Sequence, residues 1–340
     1  MKLRKTLFLS LLILTVLCFI SCATTVNVRM VRPAKLDLRG ADTIAVLPFK
    51  PSDSKNIYKS DDAFSFFASL FFGVFEYSNP DEEKLLNDLH SSIEMGLSSS
   101  KYIKLIDSSA VKNALKTSRY NPAEVYLVGE DIDFSINDKH TVNKRKLTDD
   151  YYNEDGHLIK ATYEIKDEYK RYVKMIFNYK LVNSSDNTIL AYKNVTIEDS
   201  SSTYNSKNSL PSAYTILKNK THDLAYDILK ELQPYTVIKT ITLMEDKTKN
   251  ESFKAANELA KKGNINEAYS AFYDLYRTTN MKEAGYNAAM LQMARGNLSR
   301  AEEEMENLYI QYTDQKILSS LYDIQNEIKL SQRLKEQIEK

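Results

Sequence analysis

Tryptophan is absent from this chain, glycine and proline number only 8 and 7 among 340 residues, and cysteine occurs twice. So little glycine and proline, beside 43% hydrophobic residues, excludes a collagen-like, low-complexity or disordered chain. Excess charge is missing as well. The 46 basic and 46 acidic side chains balance, which removes the electrostatic footprint of a nucleic-acid binder. After residue 21 no apolar stretch is long enough to cross a bilayer as a helix. Recognisable chemistry is also scarce. His90, His140, His157 and His222 stand apart from one another and from cysteine, so neighbouring residues build no zinc, Cys-His or HExxH site. There is no GxSxG motif, no P-loop and no glycine cradle for phosphate. Asp149-Asp150 and Asp81-Glu82-Glu83 read as a solvated loop and a helix first turn. No catalytic residue, metal or cofactor is expected, and an enzyme built from distant carboxylates is the minority reading.

The first feature present is an address. Lys2, Arg4 and Lys5 form a basic start and Leu7 to Ile20 an uncharged apolar run. That is the pattern of a secretory signal, since a transmembrane helix needs roughly 20 apolar residues. The run Phe19-Ile20-Ser21-Cys22 resembles the bacterial lipobox, which implies that Cys22 receives a diacylglyceryl group and becomes the mature N-terminus. The alternative is an ordinary signal peptide that leaves Cys22 a free thiol. Cys18 and Cys22 both lie in the leader and the following 318 residues contain none, so the mature body forms no disulfide. Loss of the leader removes three cations, giving 43 − 46 = −3, and no polybasic patch remains. Membrane attachment then falls to the acyl chains, palmitate among them, at ~0.8 kcal/mol per buried CH₂. By the same resemblance, Ala23 rather than an Asp after the cysteine implies outer-membrane residence in the cell envelope.

At about 150 residues per domain, the mature chain should hold about two. Up to residue 245, β-type alternation and aromatics dominate; residues 251–340 contain no proline and read as helices. Residues 42–49 form a continuous apolar run, as in a strand buried on both faces. Asn79-Pro80-Asp81-Glu82 is a helix start, with Leu85, Leu86, Leu89, Ile93 and Leu97 on one face. Tyr102 to Ile106 reads as a strand, and Asp107-Ser108 caps a second helix carrying Val111 and Leu115. Strands follow at Val125 to Phe134, Val173 to Leu181 and Ile189 to Ile197, then a helix after Pro211 and a closing strand over Tyr235 to Met244. The expected organisation is a leader over 1–21, a lipidated tether over 22–41, a layered α/β domain with a mixed sheet over 42–245, and an all-α domain over 251–340.

Arg32-Pro33-Ala34-Lys35-Leu36-Asp37-Leu38-Arg39-Gly40 followed by Thr43-Ile44-Ala45-Val46-Leu47-Pro48-Phe49 resembles the opening of the CsgG/TolB-N-terminal-like lipoproteins. Leu105-Ile106-Asp107 and Tyr126-Leu127-Val128-Gly129 fit the same order, and the resemblance covers roughly residues 26–245. It implies a fold more than a function, since the group runs from secretion pores to activators of cell-wall synthases. Farther on, residues 253–276 align with 286–309 at an offset of 33, with seven of 24 positions identical, including Gly263/Gly296 and Asn264/Asn297. This resembles a tetratricopeptide (TPR) array, with residues 314–338 as a final shielding helix; an unrelated helical bundle is the alternative. The TPR resemblance implies that Phe253, Asn257, Lys261, Tyr286, Met290 and Met293 line a concave groove for a peptide. The alternative is that the aromatics simply pack between helices.

Phe64 to Phe75, with Phe64, Phe67, Phe71 and Phe75, is apolar nearly all round. It is either a short buried helix or hairpin, or a membrane or subunit contact. The features together lead to a lipid-anchored, non-catalytic protein-protein interaction or assembly module, with an envelope protein or peptide as partner and a homo-oligomer as a further one. A subunit of a CsgG-like secretion pore is the rival, although Lys139 to Arg171, best placed to supply barrel strands, is dense in charge. A cell-wall synthase regulator or hydrolase is the third. The address is directly testable: Cys22→Ser should abolish fatty-acid labelling and shift the protein from membrane to soluble fraction, and persistent labelling would reject Cys22.

Overall fold

A computed structural model describes residues 24–38, 40–49, 51, 77, 79–117 and 122–339. The leader with Cys22, and the segment holding Phe64, Phe67, Phe71 and Phe75, lie outside the described residues. The first element is β1 (Thr25–Arg32), whose partner comes late in the sequence. Residues 34–234 intervene as a compact unit of their own.

In that unit, strict alternation sets the layers. Strand β2 (Thr43–Val46) sends Ile44 and Val46 into one apolar cluster, while Ala45 and the following Leu47 enter a second on the opposite side. A strand with period two can be apolar at every position only when both faces are covered. Helix α1 (Pro80–Ser98) starts where Asn79 Oδ1 accepts the Asp81 N–H at 2.8 Å, and it buries Leu85, Leu86, Leu89, Ile93 and Leu97. After β3 (Lys104–Leu105), Asp107 Oδ1 accepts the Ser109 N–H at 2.7 Å and opens α2 (Ser108–Thr117). The chain continues through β4 (Val125–Lys146), β5 (Tyr151–Tyr152), β6 (Leu158–Ile159), β7 (Tyr163–Asn183), β8 (Ile189–Ser200) and α3 (Ala213–Leu232).

The main sheet runs β3-β2-β4-β7-β8, with β2 parallel to β3 and β4 and the other pairs antiparallel. Helices α1 and α3 share the Ile44 cluster, and Val111 of α2 joins the cluster of Tyr126 and Val128. The result is the expected mixed sheet between helices. Two strands exceed their expected lengths, however: β4 runs on to Lys146 and β7 begins at Tyr163. Beyond Ile136 the backbone ladder continues after the apolar alternation that marks a buried face has ended.

The strand Tyr235–Thr242, expected to close this sheet, is β9 and pairs instead with β1, from Thr25↔Thr242 to Arg32↔Tyr235. Residues 25–32, read as part of a tether, are thus a full strand. The boundary expected at 245 falls at 33/34 and 234/235. The α/β unit is an insertion between two neighbouring strands. Such a pairing leaves no local signal, because its two halves share no turn.

Residues 24–33 and 235–339 form the other unit with helices α4 (Glu251–Lys261), α5 (Ile265–Thr279), α6 (Lys282–Ala294), α7 (Leu298–Tyr312) and α8 (Gln315–Ile338). The offset of 33 recurs in backbone geometry. Gly263 and Gly296 both take φ 82° in the turns after α4 and α6, and Asn280 and Thr313 take φ 54° and 48° after α5 and α7. Gly285 lets α6 approach its neighbours, since a β-carbon there would lie 2.7 Å from Leu308 Cδ2 and 2.9 Å from Tyr276 Cδ2. Every residue of α6 from Ala284 to Met293 is buried.

The β1–β9 ribbon is held to these helices in three ways. Val26, Ile241, Leu243 and Met244 join the helices' apolar cluster. Asn287, fully buried on α6, accepts the Met244 N–H at 2.6 Å and donates to the Met244 carbonyl at 3.0 Å. Finally, Glu327 of α8, 3% exposed, receives both guanidinium nitrogens of Arg32 and, at 2.7 Å, Lys239 Nζ. Burial alone would push the Glu327 carboxyl up, but the hydrogen bonds from Arg32 and Lys239 outweigh it and hold the group below the usual carboxylate range.

A carboxyl depressed in the folded state stabilises above its unfolded pKa and loses that contribution as pH falls through its folded value. The helical unit should therefore weaken as pH drops below about 4.3, the ordinary glutamate value. Glu327→Gln should flatten that acid limb and, at pH 7, cost up to about 3 kcal/mol in urea unfolding, because two cations lose their buried partner. Asn287→Ala should cost about 2–3 kcal/mol by stranding the Met244 amide and carbonyl; a change under about 0.5 kcal/mol would show that the clamp is idle.

Candidate functional site

The extensions of β4 and β7 form a two-stranded arm. Pairing runs from Asp133↔Ile176 to Lys146↔Tyr163, and β8 leaves β7 at Tyr172↔Ser200. After Tyr172 the chain still lies along β7 as far as Tyr169, whose N–H and carbonyl pair with Tyr204 at 2.7 and 2.9 Å, and beyond Tyr169 no described strand covers the outer edge of either arm strand. Two further short strands, β5 and β6, pair near the tip, where Gly156 at φ 78° turns the chain beneath Asn153.

Alternation carries Phe134 and Ile136, packed on the core, outward to Asp138, His140, Val142, Lys144 and Lys146 on the same face. Opposite them in register stand Arg171, Tyr169, Asp167, Ile165 and Tyr163. This face satisfies its own polar groups. Arg171 grips Asp138 through Nε at 2.7 Å and Nη2 at 2.8 Å, and those hydrogen bonds hold the Asp138 carboxyl below its ordinary range. His140 stacks on Tyr169 at 4.4 Å and lies 2.7 Å from Asp167 Oδ1, and Lys144 Nζ sits 4.0 Å above the Tyr163 ring. The reverse face is polar throughout, with Lys139, Thr141, Asn143 and Arg145 beside Lys170, Glu168, Lys166 and Glu164.

Large apolar side chains nevertheless stay in water along the arm. Val142 is 56% exposed, Ile165 66% and Tyr152 72%, and Leu147, Tyr151, Leu158, Ile159 and Tyr163 are exposed as well. The edges differ in sign. Along the distal half of β4 stand Lys139, Lys144, Arg145 and Lys146 without an acid, whereas residues 163–168 of β7 carry Glu164, Asp167 and Glu168 against Lys166. The sequence reading singles out Lys139 to Arg171 as the region best placed for barrel strands and as dense in charge, but assigns no strand to it. Its one available signal was the alternation of Val142, Tyr163, Ile165 and Tyr169 with charges.

The expected peptide groove is differently placed. Phe253, Tyr286, Met290 and Met293 are 1%, 2%, 5% and 0% exposed, all within one cluster that includes Val26, Ile241 and Met244 of the chain's own ribbon segment. Phe253 meets Phe272 edge-on at 5.1 Å, and the Tyr286 hydroxyl pairs with Ser320 Oγ at 2.9 Å. Those four side chains are interior, which is the packing alternative. Asn257 is partly exposed, and Lys261 is exposed and paired with Glu258 at 2.8 Å. The six do not form one open surface. Asn287, the residue that does grip an extended backbone, carried no sequence signal, since its repeat counterpart is Lys254.

Among the described residues no cluster of His, Cys, Asp and Glu could hold a metal ion, and no helix is long and apolar enough to cross a membrane. No protein-family model matches the chain, and no curated protein does. Among solved structures it is similar to the PelC dodecamer from Paraburkholderia phytofirmans at 15% identity and TM-score 0.24, over 62% of this chain and 98% of that one. It is also similar to a PDZ domain protein from Parabacteroides distasonis at 11% identity and TM-score 0.20, over 64% and 40% of the two chains. At scores of this size neither likeness carries a functional conclusion.

Proposed function

We propose that the protein is a lipid-anchored, non-catalytic lipoprotein of the cell envelope, of the CsgG/TolB-N-terminal-like kind with a TPR-like C-terminal unit, and that it acts as an assembly module through the β4–β7 arm. The observation that carries this reading is an arm whose distal edges, residues 139–146 of β4 and 163–168 of β7, meet no described strand, and which carries exposed apolar side chains. A two-stranded ribbon without a packed face is only marginally stable in water, and open edges invite strand addition. A second copy of the chain is the partner the charges favour. The basic β4 edge of one copy complements the acidic β7 edge of the next and lies antiparallel to it, while β4 against β4 is repelled. Because the contact is between different edges, it would close into a ring or run on as a filament.

The pore reading draws support from strand lengths of 22 and 21 residues, more than the ~10 that a barrel strand needs. Against it, both faces of the arm carry charge, with Lys144, Lys146 and Asp167 on the side of Val142 and Ile165. The groove formed by the first helices is not part of the proposal, because its expected floor is core.

Light scattering of the detergent-solubilised, full-length protein tests the assembly. The unaltered protein should run as a multimer, and Lys144→Glu with Arg145→Glu should reduce it toward monomer. Because Lys144 covers the Tyr163 ring and Arg145 faces Glu164, a stability loss of about 1 kcal/mol is expected beside it, and unfolding in urea checks that the rest of the fold is intact. A monomeric unaltered protein, or an unchanged multimer in the variant, would reject edge pairing. A multimer that conducts ions across vesicles would favour the pore.

A further inference from the structure

The first described residue is already buried. Thr24 is 6% exposed and its carbonyl accepts the Leu243 N–H at 2.9 Å; Val26, two residues on, is 5% exposed in the helical cluster. The strand it meets is anchored in turn. Leu243 and Met244 are 1% and 7% exposed, and Asn287 of α6 holds the Met244 backbone at both its N–H and its carbonyl. From Thr24 onward the chain therefore has no slack. Between Thr24 and Cys22 stands only Ala23, and two peptide units span at most about 7 Å.

We infer that the helical unit rests directly against the lipid headgroups, with the Thr24–Leu243 end of the ribbon as its membrane contact. The inference rests on the reading of Cys22 as the acylated N-terminus. An acyl anchor fixes the sulfur of that residue at the headgroup level, and a spacer of one residue is too short for the helical unit to leave the surface without unpairing Thr24 and Val26. The contact does not depend on attraction by anionic lipid. Glu245 and Asp246 follow the ribbon directly, and Lys247 and Lys249 only offset them, so the partner is a headgroup layer of either charge, reached through the anchor. Partners of the helices must accordingly approach from the side or from the water, never from beneath.

The absence of cysteine after residue 22 makes the test clean. Thr242 is exposed and lies opposite Thr25 in the ribbon, so Thr242→Cys accepts a single fluorophore. The labelled lipoprotein is placed in phosphatidylcholine vesicles, with and without phosphatidylglycerol, that carry a nitroxide on the headgroup. We expect strong quenching, equal in the two compositions, and a several-fold loss of quenching when about twenty Gly/Ser residues, a flexible coil, are inserted after Ala23. Mass spectrometry of the N-terminus and the melting temperature are measured on the same samples. If an acylated and folded protein shows the same quenching with and without the insert, the direct contact is overturned while the anchor stands. If the N-terminus carries no acyl chain, the anchor reading fails and the contact with it.

Discussion

Strands β1 and β9 pair over eight residues each, and a ribbon of two strands does not persist in water unless one face is covered. The five C-terminal helices provide that cover, taking Val26, Ile241, Leu243 and Met244 into their core. One buried carboxylate then ties the two strands to the last helix: Glu327 draws Arg32 from the beginning of the chain and Lys239 from its later part to the same pair of oxygens. Removing the charge of a partner at such a site leaves the others desolvated and unpaired, which is why a buried ion pair is far costlier to break than to replace. In chain order the unit of residues 34–234 is inserted between the two strands of this closure, and the helical unit is complete only when the N-terminal strand has returned to it.

The same physics explains why the arm leaves apolar side chains exposed. Where β4 and β7 lie within the sheet, their alternating apolar residues meet helices on both sides. Past Ile136 the cover ends, and paired polar groups such as Asp138 with Arg171 take the place of core. Cross-strand pairs of this kind supply fractions of a kcal/mol each, enough to organise a ribbon but less than a packed face provides. Val142, Ile165 and the tip tyrosines are then left in contact with water, and the distal edges beyond the Tyr169–Tyr204 bridge, which no described strand covers, add to the incentive to bind. In the helical unit the corresponding opportunity is closed. Asn287 and the aromatic residues that would receive an extended partner are occupied by the protein's own segment around Met244.

Much of the fold was legible in the sequence wherever the deciding interactions are local. Helix α1 was marked by its cap and its apolar stripe, β2 by an uninterrupted apolar run, and the helix pairs by a repeat that returns in the positive φ angles of Gly263, Gly296, Asn280 and Thr313. Residue type and spacing suffice for these because capping, periodicity and turn conformation involve neighbours within a few positions. The tertiary structure alone decided that residue 32 lies beside residue 235, that Glu327 collects two cations, that Phe253, Tyr286, Met290 and Met293 face inward, and that β4 and β7 outrun their core. Each of these depends on which distant surface covers a given face. An apolar residue at helical spacing looks the same in a sequence whether a foreign peptide or the chain's own strand lies over it, and only the closed structure supplies the covering surface.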